Sequence, residues 1–290
     1  MKEIYCFGTS QTAGGGYEFD AETKWLWPKD YWFIEYEGEQ TQSNFSYPGR
    51  LQSISNEYKV FNLGKSGHGN DRSIRKAYDV IKSKTNEELK NVCFLLEYAY
   101  VGRKEVFLKN LDKHAICNYS FLTEKMDEVN LHGLGIDYFY DDKNTEKLLR
   151  MNRDSIQDYL SKTMKYDVEM EKLERDFAIF LSFLENMGVN FLLVSGGPDF
   201  RDNHFEKNAI AWDKLTPYQG DPFNTHVEEE TITAETNGEI LDNHNNYTTN
   251  NWISKVVYNR LIDDKFLHNL SKIPDEYPYK KVTEANQSLR

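Results

Sequence analysis

Four short apolar runs constrain this chain more than anything else in it. Lys2–Phe7 stops at Gly8, Tyr58–Leu63 stops at Gly64, Val92–Leu96 stands alone, and Val189–Val194 opens into SGGPD. Unbroken apolar runs of this length read as strands buried on both faces rather than strands with one wet face. Between them the apolar period changes. Ile74, Ala77, Tyr78 and Ile81 recur at helical spacing, predicting a helix over Asp71–Lys84. A longer helix is predicted over Ser155–Met187, closed by Gly188, and another over Trp252–Leu261. Strands alternating with helices predict an α/β domain with a largely parallel sheet and helices on both faces.

Composition narrows what such a domain can do. The 290 residues carry 35 Lys and Arg against 47 Asp and Glu, a formal net charge of −12. That surface opposes nucleic-acid backbones and anionic membranes, both polyanions. No apolar run approaches the roughly 18 residues of a transmembrane helix, and MKEIYCFGTSQT lacks the long apolar core of a signal peptide. The chain therefore reads as cytoplasmic. Cys6, Cys93 and Cys117 are too few and too scattered for a disulfide framework, and no CxxC or HExxH spacing suggests zinc. Cys6 and Cys93 fall inside predicted strands, where a thiol acts as a small hydrophobe.

Two stretches break the alternation. Segment 17–45 is crowded with tryptophan, tyrosine and phenylalanine, and segment 99–150 is long, aromatic and expected to be partly helical. Both follow strand ends, where α/β sheets build their binding crevice, and both read as cap insertions or an enlarged core shell. The aromatic faces of 17–45 also suit stacking on a sugar. One domain over 1–265 with a C-terminal tail, 266–290, is the expected organisation.

Three loops carry candidate chemistry. Ser10 lies just past the first strand in FGTSQTAGGG, where glycines allow tight turns and close ligand approach. NLGKSGHGND, Asn62–Asp71, follows the second strand and can present backbone N–H donors. It lacks the GxxxxGK[ST] and GxGxxG spacings of nucleotide loops. ILDNHNNYTTNNW precedes the last helix and places Asp242 two residues before His244. A seryl hydroxyl needs a base, and an imidazole base needs an orienting carboxylate, so the three loops together supply a nucleophile set. Taken alone, the Ser10 loop and the Asp242–His244 loop read more readily as a turn and a solvated loop, and Asn62–Asp71 as a flexible connection or a phosphate cradle. Arg72 and Arg75 suit either a bound carboxylate or a helix-surface ion pair.

In this order the pieces resemble the SGNH (GDSL-type) hydrolase superfamily, and among its members the phage-like and cyanobacterial-like ones. FGTSQTAGGG is similar to its first block, with Ser10 at the nucleophile and Thr9 where an Asp is usual. SYPGRL, Ser46–Leu51, resembles the start of its first helix, and NLGKSGHGND its second block, opened by Asn62. DNH resembles the last block in its shorter Asp-x-His form, found in alginate-type acetyltransferase relatives. The third block, GxND, is missing; FLLEYAYVGRKE stands there. The resemblance spans roughly 1–16, 46–98 and 189–263.

The resemblance implies a three-layer α/β/α flavodoxin-like fold with a central parallel five-stranded sheet in the order 2-1-3-4-5. It implies Ser10, His244 and Asp242 as a catalytic triad, and the backbone amides of Ser10 and Gly67 as oxyanion donors. Asn70 is the candidate for the missing side-chain donor, and Thr9, His68, Glu97, Tyr98 and Arg103 are candidates for lining the substrate pocket. The expected activity is hydrolysis of small esters, such as O-acetyl groups on a carbohydrate, with no metal or other cofactor. Transfer of the acyl group to a sugar, or a weakened binding module on the same scaffold, are the alternatives.

Overall fold

The computed structural model describes residues 1–9, 12, 46–64, 69–99, 103–108, 113–118, 162, 165–194, 207–210 and 247–274. The strands are β1 (Lys2–Phe7), β2 (Tyr58–Asn62), β3 (Val92–Leu96), β4 (Arg103–Leu108), β5 (Lys113–Asn118) and β6 (Asn190–Leu193). The helices are α1 (Tyr47–Ile54), α2 (Asn70–Lys82), α3 (Asn86–Leu89), α4 (Tyr166–Met187) and α5 (Tyr247–Asp263).

The four predicted strands form one parallel sheet in the order β2-β1-β3-β6. Its alternation explains the unbroken apolar runs. Tyr5, Phe7, Phe94, Leu96, Phe191 and Leu193 point to one face, under Ala77 and Ile81 of α2 and Phe177, Leu181 and Leu184 of α4. Ile4, Cys6, Val60, Cys93, Leu95 and Leu192 point to the other, under Tyr47 and Leu51 of α1 and Ile253, Val257 and Leu261 of α5. The first face is knitted by rings: Phe7 meets Phe94 edge-on at 5.1 Å between centroids, and Tyr98 meets Phe177 likewise at 5.2 Å. Cys6 and Cys93 are free and buried, filling the second face as apolar groups.

Local chemistry sets the helix ends. Ser46 caps α1 by accepting the Gly49 N–H at 3.3 Å, and Pro48 lies in the first turn. Thr85 and Glu88 make a reciprocal capping box on the short α3, which the periodicity did not predict. Helix α4 ends at Gly188, whose φ of 69° is left-handed. The helix predicted over Ser155–Met187 is broken at Lys165, which is extended (φ −123°, ψ 131°); of its earlier part only Lys162, which is helical, falls among the described residues. Asp167 and Glu169 favour an N-terminus at that point.

Two further differences concern the ends of the sheet. Residues 103–118, expected in a partly helical insertion, contain an antiparallel β-hairpin, β4 paired with β5 from Arg103↔Asn118 to Leu108↔Lys113. Packing also runs past residue 265. Phe266 and Leu267 are buried against α5, and the Asn259 side chain clamps both the N–H and the C=O of Ile273 at 2.9 and 2.8 Å. Beyond β6, a single parallel bridge joins Leu193 to Ala209.

Contacts near the end of α5 fix its direction relative to the sheet. Tyr258 lies 6.3 Å from the ring of Tyr58, the first residue of β2, and Lys2 lies over Phe266 at 4.8 Å. The C-terminal end of α5 is thus at the amino edge of the sheet. Its 17 residues span about 25 Å at 1.5 Å each, so Tyr247 lies toward the carboxyl edge.

Candidate functional site

At the carboxyl edge, β1 and β3 sit side by side, and the chain moves to opposite sides of β1 in reaching β2 and then β3. Such a reversal leaves a crevice beyond the strand ends. Glu97, the residue after β3, donates its N–H to the Phe7 carbonyl at 2.8 Å, which fixes it beside Gly8. Its side chain then folds over Gly8. A Cβ on Gly8 would lie 2.6 Å from Glu97 Cβ and run into Glu97 Oε2 and Thr12 Oγ1, so only glycine fits under this carboxylate.

Four donors converge on Glu97. The backbone N–H groups of Thr9 and Thr12 reach Oε2 at 2.9 and 3.1 Å. The Thr9 hydroxyl donates to Oε1 and the Thr12 hydroxyl to Oε2. Thr9, Thr12 and Glu97 are all buried. A carboxylate placed there would be costly without partners, and these donors satisfy it. The Thr12 hydroxyl also lies 3.4 Å from the Tyr47 hydroxyl on α1. Burial and the neighbouring Cys6 push the Tyr47 phenol up, so it stays protonated and able to donate.

The end of β2 is tied to the same loop. Asn62 donates from Nδ2 to the Thr12 carbonyl at 2.9 Å and to Ser46 Oγ at 3.4 Å, and accepts the Gly64 N–H at 3.0 Å. One amide thus joins the loop after β1, the loop after β2 and the cap of α1. Arg72 reaches back along its own loop to the Leu63 carbonyl at 2.6 Å.

Asn70 begins α2 and is buried; its Nδ2 donates to the Ala99 carbonyl at 2.8 Å while its Oδ1 accepts the Ala99 N–H at 2.8 Å. The amide therefore splices the chain leaving β3 onto α2. Gly69 beside it packs against the Arg103 backbone: a Cβ would lie 2.8 Å from the Arg103 carbonyl carbon and run into its oxygen. Burial draws the Arg103 guanidinium below its ordinary range, and the charge of Glu97 opposes that shift. Tyr98 is buried with its ring on Phe177.

Of the residues singled out in the sequence, Thr9, Asn62, Asn70, Glu97, Tyr98 and Arg103 are therefore gathered at the ends of β1, β2 and β3. Ser10, Gly67, His68, Asp242 and His244 lie outside the described residues, as does segment 17–45. No protein-family model matches this chain, and no curated protein matches it. Among the described residues no helix is long and apolar enough to cross a membrane, and no group of three or more His, Cys, Asp and Glu side chains is arranged to hold a metal ion.

Thr12 and the use made of Glu97 were not anticipated. The available signal was an acid closing the otherwise apolar strand FLL, with two threonines flanking Ser10–Gln11. Chemically, one anion grips the chain at Thr9 and again at Thr12, on either side of residues 10 and 11.

Proposed function

We propose that this chain is a serine ester hydrolase of the SGNH type, with a three-layer flavodoxin-like architecture and a fifth strand continuing the sheet past β6. The observation that carries the reading is the anchoring of Thr9 and Thr12, the residues before and after Ser10–Gln11, on Glu97 beyond the carboxyl end of β1, where the strand order reverses. Two further features support it. Asn62, opening the NLGKSG loop, is bonded to the Thr12 carbonyl. Helix α5 begins three residues after His244 and points its N-terminus toward the same edge.

In this reading Ser10 Oγ attacks an ester carbonyl while His244 takes its proton. Asp242 holds the imidazole in the required orientation and stabilises the imidazolium. The tetrahedral oxyanion accepts N–H bonds from Ser10 and Gly67. Asn70 can add only the Nδ2 hydrogen that is not given to Ala99. Collapse breaks the C–O bond, His244 protonates the departing alcohol, and water activated by His244 releases the acid from the acyl-enzyme. The net charge of −12 favours a neutral substrate, and the aromatic residues of 17–45 suit an acetylated sugar.

A non-catalytic binding module is the second reading, favoured by the engagement of Asn70 with the Ala99 backbone. Fluorophosphonate labelling with peptide mapping, run beside p-nitrophenyl acetate turnover, separates the two. The hydrolase reading expects label on Ser10 that is lost in Ser10→Ala and in His244→Ala. A folded protein with neither label nor turnover refutes it. Adding a sugar acceptor distinguishes transfer from hydrolysis, since a transferase then forms the acylated sugar faster than free acid.

A further inference from the structure

We propose that Glu97 is a positioning residue for the Ser10 nucleophile, acting through the two threonines that flank it. The inference rests on the proposed role of Ser10 as nucleophile. Glu97 comes from the end of β3, not from the loop it holds, and its backbone is locked to β1 by the bond from its N–H to Phe7. Its carboxylate takes a backbone N–H from Thr9 and another from Thr12, together with both threonine hydroxyls. The two residues between these anchors therefore start and end at points fixed by one rigid group in the central strand pair.

The second anchor is fixed independently. Asn62 binds the Thr12 carbonyl, and Tyr47 lies against the Thr12 hydroxyl. Thr12, with no exposed surface, is thus held by three elements at once. Nothing in this network needs Glu97 to touch substrate. Both its oxygens are engaged by the loop, and Gly8 leaves the space its side chain occupies. Its contribution to rate is geometric: a nucleophile displaced by about 1 Å can lose on the order of a hundredfold.

The variants follow from the donor count. Glu97→Ala leaves two buried N–H groups and two hydroxyls without their acceptor. Glu97→Gln keeps one oxygen for both N–H groups, and its amide can donate to the Thr9 hydroxyl, which turns to accept. Glu97→Ala is expected to lower both kcat and the rate of fluorophosphonate labelling at Ser10 by about 30-fold or more, with KM moving less than about threefold. Glu97→Gln is expected to recover most of that loss. Amide exchange at Thr9 and Thr12 should quicken in Glu97→Ala and return toward the wild-type rate in Glu97→Gln.

Should Glu97→Ala fail to fold, Thr12→Val and Thr12→Ser decide the matter, because valine keeps the shape and loses the hydroxyl while serine keeps the hydroxyl. Valine is then expected to slow labelling about fivefold and serine to restore it. Wild-type labelling at Ser10 with Glu97→Ala, or with Thr12→Val in its place, labelling equally fast overturns this proposal alone. Glu97→Gln falling as far as Glu97→Ala also overturns it, since charge rather than position would then matter. An unlabelled wild type overturns the serine reading and this proposal with it.

Discussion

Replacing Gly8 by alanine puts a single methyl group under the Glu97 carboxylate. Gly8 does not have a positive φ, so the backbone itself accepts alanine and the cost is steric. The new carbon would lie 2.6 Å from Glu97 Cβ, about 1 Å inside the 3.5–4.0 Å of ordinary carbon contact. The Phe7 carbonyl before Gly8 holds the Glu97 N–H, which fixes the two backbones against each other, so relief must come from the carboxylate swinging off Thr9 and Thr12. Overpacking of this kind costs about 1–3 kcal/mol. Each hydrogen bond lost to a charged acceptor costs about 1.5–3 kcal/mol. The lower chain entropy of unfolded alanine returns about 0.4–1 kcal/mol. The two costs partly replace one another, and the net expected loss is about 3 kcal/mol by these ranges.

Urea unfolding followed by far-UV circular dichroism measures it. Gly188→Ala is the matched control, because that glycine has φ 69° and nothing within 4 Å of an added Cβ. It should lose only about 1–2 kcal/mol, from left-handed backbone strain. In a Glu97→Ala background, Gly8→Ala should cost at least about 1 kcal/mol less than in the wild type, because the carboxylate it strikes is gone and the Thr12 hydroxyl is free to turn away. Equal costs at the two glycines, or a cycle additive within about 0.5 kcal/mol, would refute the steric argument.

Other expectations are simpler. Asn70→Ala leaves the Ala99 N–H and C=O without their partner and should destabilise by about 2–4 kcal/mol in urea titration, whether or not the protein is an enzyme. Thr85→Ala removes one half of the α3 capping box and should cost about 1 kcal/mol. Burial pushes the thiols of Cys6 and Cys93 up, so both should resist a thiol reagent at pH 8 in the native state and react on unfolding. A folded pKa above the unfolded one means the folded state holds its protons longer. The contribution of the two thiols is therefore complete below the ordinary thiol range and declines as pH rises above it; alanine at both positions should flatten that decline in urea midpoints measured between about pH 8 and 10.

The sheet was legible because its signal is local. KEIYCF and VCFLL are buried on both faces, and their boundaries match the structure to the residue. The hairpin was not legible: RKEVFL places three polar residues before three apolar ones, so it shows no period of two, and its strands are recognised only by pairing with each other. The break at Lys165 was invisible because the apolar spacing of the sequence runs on past that position unchanged, from Leu160 and Met164 to Val168. In the site, Asn62, Glu97 and Thr9 were singled out, but Thr12 was not, and neither were the pairings among them. Glu97 meets Thr9 across 88 residues and Asn62 meets Thr12 across 50, and one sequence offers no way to read such pairings.

The central position of β1 bears on how the chain is made. Lys2 pairs with Tyr58, 56 residues later, and Glu3 pairs with Val92, 89 residues later. At a synthesis rate of about 5–20 residues per second, β1 waits roughly 3–11 s for its first neighbour and about 4–18 s for its second. During that interval both its edges are open, and from Ile4 to Phe7 its side chains would be apolar on either face of a misplaced strand. Nascent KEIYCF is thus open to pairing with another chain, and a ribosome-associated holdase or a lower growth temperature should raise the soluble yield.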